Sequence, residues 1–161
     1  MLIAAIAAGA GPAARSGFGA ALAVSALVNI IGEEITGDLE AGGLAKLLRG
    51  TVGEVQLMLE HQAEHDRRPI RDYASTLLAV IMTDTGGVIG QIGGGAALIQ
   101  EVGGDWRPVH WYGQGGNAGV ARCLTEPEAF HAFQIAELPS TPSRICLFSG
   151  ELERVLTHVR V

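Results

Sequence analysis

The sequence predicts an α+β fold, in which helices cover one face of a strand-rich remainder. Two segments in the first half of the chain, residues 18–35 and 44–62, repeat apolar residues at three- and four-residue spacing, which is typical of amphipathic helices. From residue 73 onward, the chain consists of short apolar runs separated by glycine-rich turns. A length of 161 residues with 48% hydrophobic content indicates one domain with a substantial core.

The N-terminal elements are a strand followed by two helices. Residues 2–7 are apolar without alternation, which indicates a strand covered on both faces. Pro12 suits the first turn of a helix, where its missing N–H is not needed, so the first helix is expected to begin there. The second helix is expected over residues 44–62 and to end before Pro69.

The hydrophobic period changes after residue 73, and the following runs predict strands. Residues 84–87 (Asp-Thr-Gly-Gly) form a turn whose residue types tolerate positive φ angles. The strands on either side of this turn and the two that follow are expected to form one antiparallel meander. They comprise residues 77–82, 88–92, 96–102 and 107–111.

The C-terminal part is predicted to contain a helical turn, two strands and a final helix. Residues 125–128 resemble a helix cap and first turn. Strands are expected over residues 133–138 and 144–148, on either side of a proline-containing loop. Residues 151–161 carry leucine and valine on one helical side, which predicts a closing helix.

Charge and cysteine content argue against nucleic-acid and membrane partners and predict a cytoplasmic protein. A net charge of −6 argues against binding to nucleic acid or to an anionic membrane, because both require a basic surface. The apolar run at residues 17–32 is shorter than the ~18–20 residues that span a membrane. Cys123 and Cys146 both lie in apolar surroundings, which favours reduced thiols and a cytoplasmic protein over a disulfide scaffold.

Four segments in order carry patterns of a known family. They are residues 2–16 (LIAAIAAGAGPAARS), the hairpin with STLL at 75–78 and QIG at 91–93, residues 111–125 (WYGQGGNAGVARCLT) and residues 147–154 (LFSGELER). Together they resemble the metal-dependent protein phosphatases of type 2C, and most closely the small bacterial branch. The resemblance implies an antiparallel β-sandwich flanked by helices. It also implies an incomplete domain, because segments before the first strand and after the last helix of the family pattern are not found.

The resemblance also implies a metal centre whose ligands are replaced in this chain. Family enzymes bind two Mn²⁺ or Mg²⁺ ions through aspartates, and the metal-bound water attacks a phosphoserine or phosphothreonine. The aspartate positions correspond here to Ala8, Gly94 and Gly150, none of which has a side-chain oxygen. Gly9, which contributes a backbone carbonyl, is kept, and Gln114 replaces a glutamate that orders a loop.

These replacements predict a catalytically inactive pseudophosphatase that needs no metal cofactor and acts, if at all, by binding protein. Because family strands would be missing from an incomplete domain, its sheets are expected to expose edges and to support self-association. The chain has one lysine, Lys46, in a predicted helix, so charge does little to protect an exposed edge.

Two alternatives remain open from the residues alone. Gly9, Ala10 and Gly11 precede a predicted helix, so their N–H groups could bind an anion and make the chain a small-ligand module together with the glycines near Gly93. His61 and His65 share a helix face with the spacing of two zinc ligands. Two solvated histidines are the favoured interpretation, because Gln62 stands where the metalloprotease pattern has glutamate.

Overall fold

The computed structural model describes residues 1–35, 37, 39–111, 122–150 and 152. Its elements confirm the α+β prediction, with helices on one side of two antiparallel sheets. In chain order they are β1 (Leu2–Ile6), α1 (Ser16–Glu34), α2 (Ala41–His65), a 3-10 turn (Ile70–Tyr73), β2 (Leu77–Thr83), β3 (Gly86–Ile92), β4 (Gly95–Gln100), β5 (Trp106–Trp111), α3 (Ala129–Ala132), β6 (Gln134–Leu138) and β7 (Arg144–Ser149).

The strands form the two sheets of a sandwich. One sheet has the order β1-β2-β3-β6 and the other has the order β5-β4-β7, and every pairing is antiparallel. Alternate residues of β2 and β4 fill the space between the sheets, among them Leu78, Val80 and Ile99. Both long helices pack on the outer face of the four-stranded sheet, where Leu27 and Leu48 are fully buried.

The predicted single meander is wrong, because the chain changes sheet between β3 and β4. The pairs β2–β3 and β4–β5 form as expected, but β4 pairs on its other side with β7. Gly93 and Gly95 have φ angles of 82° and 138°, which favour glycine strongly. This backbone redirects the chain into the second sheet, so the glycines act as a corner rather than a hairpin turn.

The first helix begins at Ser16 rather than at Pro12. The preceding segment is held against the 3-10 turn instead, because Arg15 N donates to the carbonyl of Asp72 at 2.8 Å. The second helix extends beyond the predicted residues at both ends, to Ala41 and His65. The helical turn predicted at residues 125–128 lies just before the short helix α3, which begins at Ala129 with Glu128 as its N-cap.

The helix α1 is long and apolar enough to cross a membrane by length and composition alone. The core helices of soluble proteins pass the same test, and Ala23, Leu27 and Ile31 of α1 are fully buried against α2 and the sheet. This helix therefore does not point to a membrane. The predicted closing helix at residues 151–161 falls mostly outside the described residues, as does Gln114.

Candidate functional site

The site implied by the family resemblance begins where β1 ends. Ala4 and Ile6 pack between the two sheets, whereas Ala5 and Ala7 pack toward the helices. This alternation places the side chain of Ala8 on the inter-sheet side. The backbone N–H of Ala8 donates to Thr76 Oγ1 at 3.1 Å, and Thr76 N donates to the Ala8 carbonyl at 2.9 Å. Ala8 is thus fixed beside Thr76, the residue immediately before β2.

The glycine corner between β3 and β4 has one position that accepts a side chain. A Cβ at Gly93 would lie 2.5 Å from Thr76 Cγ2, and one at Gly95 would lie 2.8 Å from the Phe148 carbonyl oxygen. Both glycines also have positive φ angles. At Gly94, the nearest atom to such a Cβ is 3.5 Å away, which is an ordinary contact. Gly94, which the resemblance equates with a family aspartate, is the corner residue whose surroundings would accommodate a side chain.

Gly150 follows β7 and lies directly against the corner. A Cβ at Gly150 would lie 3.3 Å from the Cα of Gly94. The pairing of Gly95 with Ser149 fixes this approach. Thr76 connects the corner to Ala8, since it contacts Gly93 and is hydrogen-bonded to Ala8. The structure thereby brings Ala8, Gly94 and Gly150, the positions that the resemblance singled out, to one end of the sandwich.

Gln91 supports this end of the sandwich, a role that sequence reasoning missed. Its side chain is 4% exposed, and its Nε2 donates to the carbonyls of Gly93 at 3.0 Å and Gly95 at 2.8 Å. Within the described residues its Oε1 has no hydrogen-bond partner, and neither has the hydroxyl of Ser75, which lies opposite Gly9. The sequence feature that could have indicated this role is the single polar side chain, Gln91, in the otherwise apolar β3.

The described residues do not fit a two-metal centre. Hard divalent cations take about six oxygen ligands, usually including several carboxylates. Ala8, Gly94 and Gly150 supply no side-chain oxygen. In the part of the chain that the structure describes, His, Cys, Asp and Glu side chains form no group of three or more suited to a metal ion. His61 and His65 are exposed on α2, and His65 Nδ1 lies 3.2 Å from Asp66 Oδ1.

The glycine loop proposed to bind an anion is partly occupied by protein contacts. Ala10 N donates to the Ala74 carbonyl at 2.8 Å, and the helix begins only at Ser16. A Cβ at Gly9 would lie 2.6 Å from Ser16 Oγ, so the loop packs closely on the first residue of the helix. Anion binding by Gly9, Ala10 and Gly11 stays a prediction. The N–H of Ala10 already donates to a protein carbonyl, so it is not available to an anion.

A second polar cluster, which the sequence did not reveal, joins the end of α2 to the start of α1. Asp66 accepts hydrogen bonds from Tyr73 Oη at 2.5 Å and from Gln62 Nε2 at 3.0 Å, and Arg15 lies 3.3 Å from its carboxylate. The bonds from Tyr73 and His65 lower the pKa of Asp66 to about 2, with smaller contributions from Gln62 and Arg15. Burial and the Asp66 bond raise the pKa of Tyr73.

This cluster predicts a specific loss of stability in acid. Because the pKa of Asp66 falls from 3.8 to about 2 on folding, its charged form stabilises the fold fully above pH 3.8. That contribution is lost as the pH falls through about 2. Urea midpoints measured across this range should fall more for the wild type than for Asp66→Asn. A difference between the two proteins that stays constant down to pH 2 would contradict this role.

The sequence matches the family model described as protein phosphatase 2C over residues 1–159. The chain belongs to the protein phosphatase 2C family. No curated protein matches the sequence. Both the family and the fold predicted from the sequence are confirmed.

Solved structures share the fold at low sequence identity. A bacterial serine phosphatase aligns with a TM-score of 0.68 and 12% identity, over 99% of this chain and 74% of its own. PppA from Pseudomonas aeruginosa aligns with a TM-score of 0.63 and 18% identity, over 98% and 74%. The catalytic domain of the serine threonine phosphatase PstP, crystallised with two manganese ions, aligns with a TM-score of 0.58 and 18% identity, over 84% and 61%. At these identities the likeness establishes the fold of this phosphatase 2C domain.

Proposed function

We propose that this chain is a protein phosphatase 2C domain without phosphatase activity, which acts by binding another protein. The contact between Gly94 and Gly150 carries the proposal, since two family aspartate positions meet there without a side chain. A two-metal mechanism needs carboxylates to hold the ions that activate water. With Ala8 as the third replaced position, this end of the sandwich has no means of performing that step.

The direct test is hydrolysis of para-nitrophenyl phosphate by the purified protein in Mn²⁺ or Mg²⁺. We expect no turnover above a blank without protein, because the ligands of the metal-activated nucleophile are missing. An active bacterial serine phosphatase serves as the positive control. Turnover that depends on Mn²⁺, is abolished by a chelator and co-elutes with the protein on gel filtration would refute the proposal.

Exposed sheet edges support self-association as one form of protein binding. The strand orders leave β1 and β6 at the edges of one described sheet and β5 and β7 at those of the other. Unpaired strand edges favour pairing with another chain. We expect a dimer or larger species, or aggregation on heating, detected by light scattering coupled to gel filtration. A monodisperse monomer at high micromolar concentration would contradict this.

The charge and thiols of the chain support a cytoplasmic protein that binds neither nucleic acid nor membrane. The net charge of −6 opposes attraction to polyanions. Cys123 and Cys146 form no disulfide among the described residues, and burial raises the pKa of Cys123, which makes this thiol less reactive. Cysteines that remain as thiols favour a reducing compartment.

A further inference from the structure

The outward side of α2 combines exposed apolar side chains with a groove. Leu57 and Met58, neighbours on α2, are 54% and 41% exposed. Beside them, a groove of about 330 Å³ runs between α2 and residues 125–127, with Ile70 also lining it. Its volume is at the lower end of the range for small-molecule pockets, so it suits one or two side chains of a peptide.

The groove is preformed, because both of its walls are tied together. Gln56 of α2 donates from Nε2 to the Leu124 carbonyl at 2.8 Å and approaches the Glu126 carbonyl at 3.5 Å. Arg49, seven residues before Gln56 on α2, donates to the carbonyls of Phe130 and Phe133. A partner would therefore bind a surface that needs little ordering, which reduces the entropic cost of association.

Both walls of the groove carry an acidic side chain. Glu60 on α2 and Glu126 on the facing segment line it. Neither carboxylate takes part in an ion pair among the described residues, although Glu126 Oε1 accepts a hydrogen bond from Cys123 N at 3.1 Å. Exposed Glu54 precedes Leu57 by one turn and adds a further negative charge.

We propose that this groove, formed by α2 and residues 125–127, binds a partner segment that presents apolar side chains together with lysine or arginine. Apolar anchors would cover Leu57 and Ile70, while the cations would face Glu60 and Glu126. The same carboxylates would repel a phosphopeptide or a nucleic acid. The inference rests on the proposed protein-binding role and not on the lack of catalysis, so either can fail without the other.

The test is fluorescence anisotropy with a labelled synthetic amphipathic peptide of leucine and lysine, and with the same peptide carrying glutamate in place of each lysine. We expect saturable binding of the lysine peptide only. The double variant Glu60→Gln and Glu126→Gln should weaken binding about fivefold or more, since it removes both carboxylates. Glutamine at position 126 keeps an oxygen for Cys123 N.

Two further variants separate groove binding from general attraction to an acidic protein. Glu33→Gln with Glu34→Gln removes the same charge from the exposed end of α1 and should leave affinity unchanged. Gly53→Leu fills the groove and should abolish binding, while circular dichroism and thermal melting check that each variant is folded. The proposal is overturned if the lysine peptide does not bind, or if folded Gly53→Leu binds it normally. It is also overturned if the double glutamine variants in the groove and in α1 weaken binding of the lysine peptide equally.

Discussion

Gly19→Ala is expected to lower the free energy of unfolding by about 2–4 kcal/mol, because it forces two backbones apart. Gly19 is buried in α1, and a Cβ there would lie 2.1 Å from the carbonyl oxygen of Tyr73 and 2.8 Å from its carbonyl carbon. The 3-10 turn resists displacement, since Tyr73 is fully buried and bonded to Asp66. This strain should outweigh the gain of about 1 kcal/mol that alanine brings to a helix.

A matched substitution in the same helix separates packing from helix propensity. Gly32 is exposed, and a Cβ there meets no atom within 4 Å. Gly32→Ala should therefore leave stability unchanged or raise it by up to about 1 kcal/mol. Urea denaturation of both variants measures the two effects. Equal free energies of unfolding for Gly19→Ala and the wild type would show that α1 and the 3-10 turn do not approach as closely as described.

The triple variant Ala8→Asp, Gly94→Asp and Gly150→Asp is expected to acquire a Mn²⁺-dependent rise in melting temperature. A Cβ at Gly94 would make only ordinary contacts, whereas one at Gly150 would lie 3.3 Å from the Gly94 backbone, which must shift by a few tenths of an ångström; neither glycine has a positive φ angle. Three carboxylates placed together repel one another until a cation neutralises them. At 100 times the dissociation constant, bound Mn²⁺ would add about 2.7 kcal/mol, or roughly 5–10 °C in melting temperature.

The controls are the wild type and the corresponding asparagine variant. Asparagine has nearly the same size as aspartate but no charge, so Ala8→Asn, Gly94→Asn and Gly150→Asn should show no saturable shift with Mn²⁺. The wild type should also melt at the same temperature with Mn²⁺ or with a chelator. Identical responses of the aspartate and asparagine variants would mean that these positions do not converge on one ion. A saturable shift in the wild type would reveal a metal site elsewhere in the chain.

We expect a fold that needs no metal as the physical consequence of the proposed replacements. In a cluster of aspartates, the native state gains from cations that offset the repulsion between carboxylates. Ala8, Gly94 and Gly150 introduce no such repulsion, so this end of the sandwich closes by backbone contact and by the Gln91 hydrogen bonds. The proposed loss of metal ligands is therefore compatible with a packed domain that presents binding surfaces.

By itself, the sequence determined which segments form helices and which form strands, because each pattern reflects the local geometry of one element. The spacing of apolar residues located α1 and α2, and the short apolar runs located each described strand within two residues of its observed ends. The order of motifs also predicted that Ala8, Gly94 and Gly150 replace family aspartates, since that comparison needs only residue identity.

The tertiary structure alone decided which distant residues meet. The separation of β3 and β4 into different sheets depends on φ angles at Gly93 and Gly95, and glycine permits both a hairpin and a corner. The depressed pKa of Asp66 depends first on the hydrogen bond from Tyr73, which the 3-10 turn places beside it, and least on Arg15, which reaches it only when the start of α1 packs near the end of α2. Such contacts join residues far apart in the chain, so they follow from how elements pack and leave no periodic signal in any one of them.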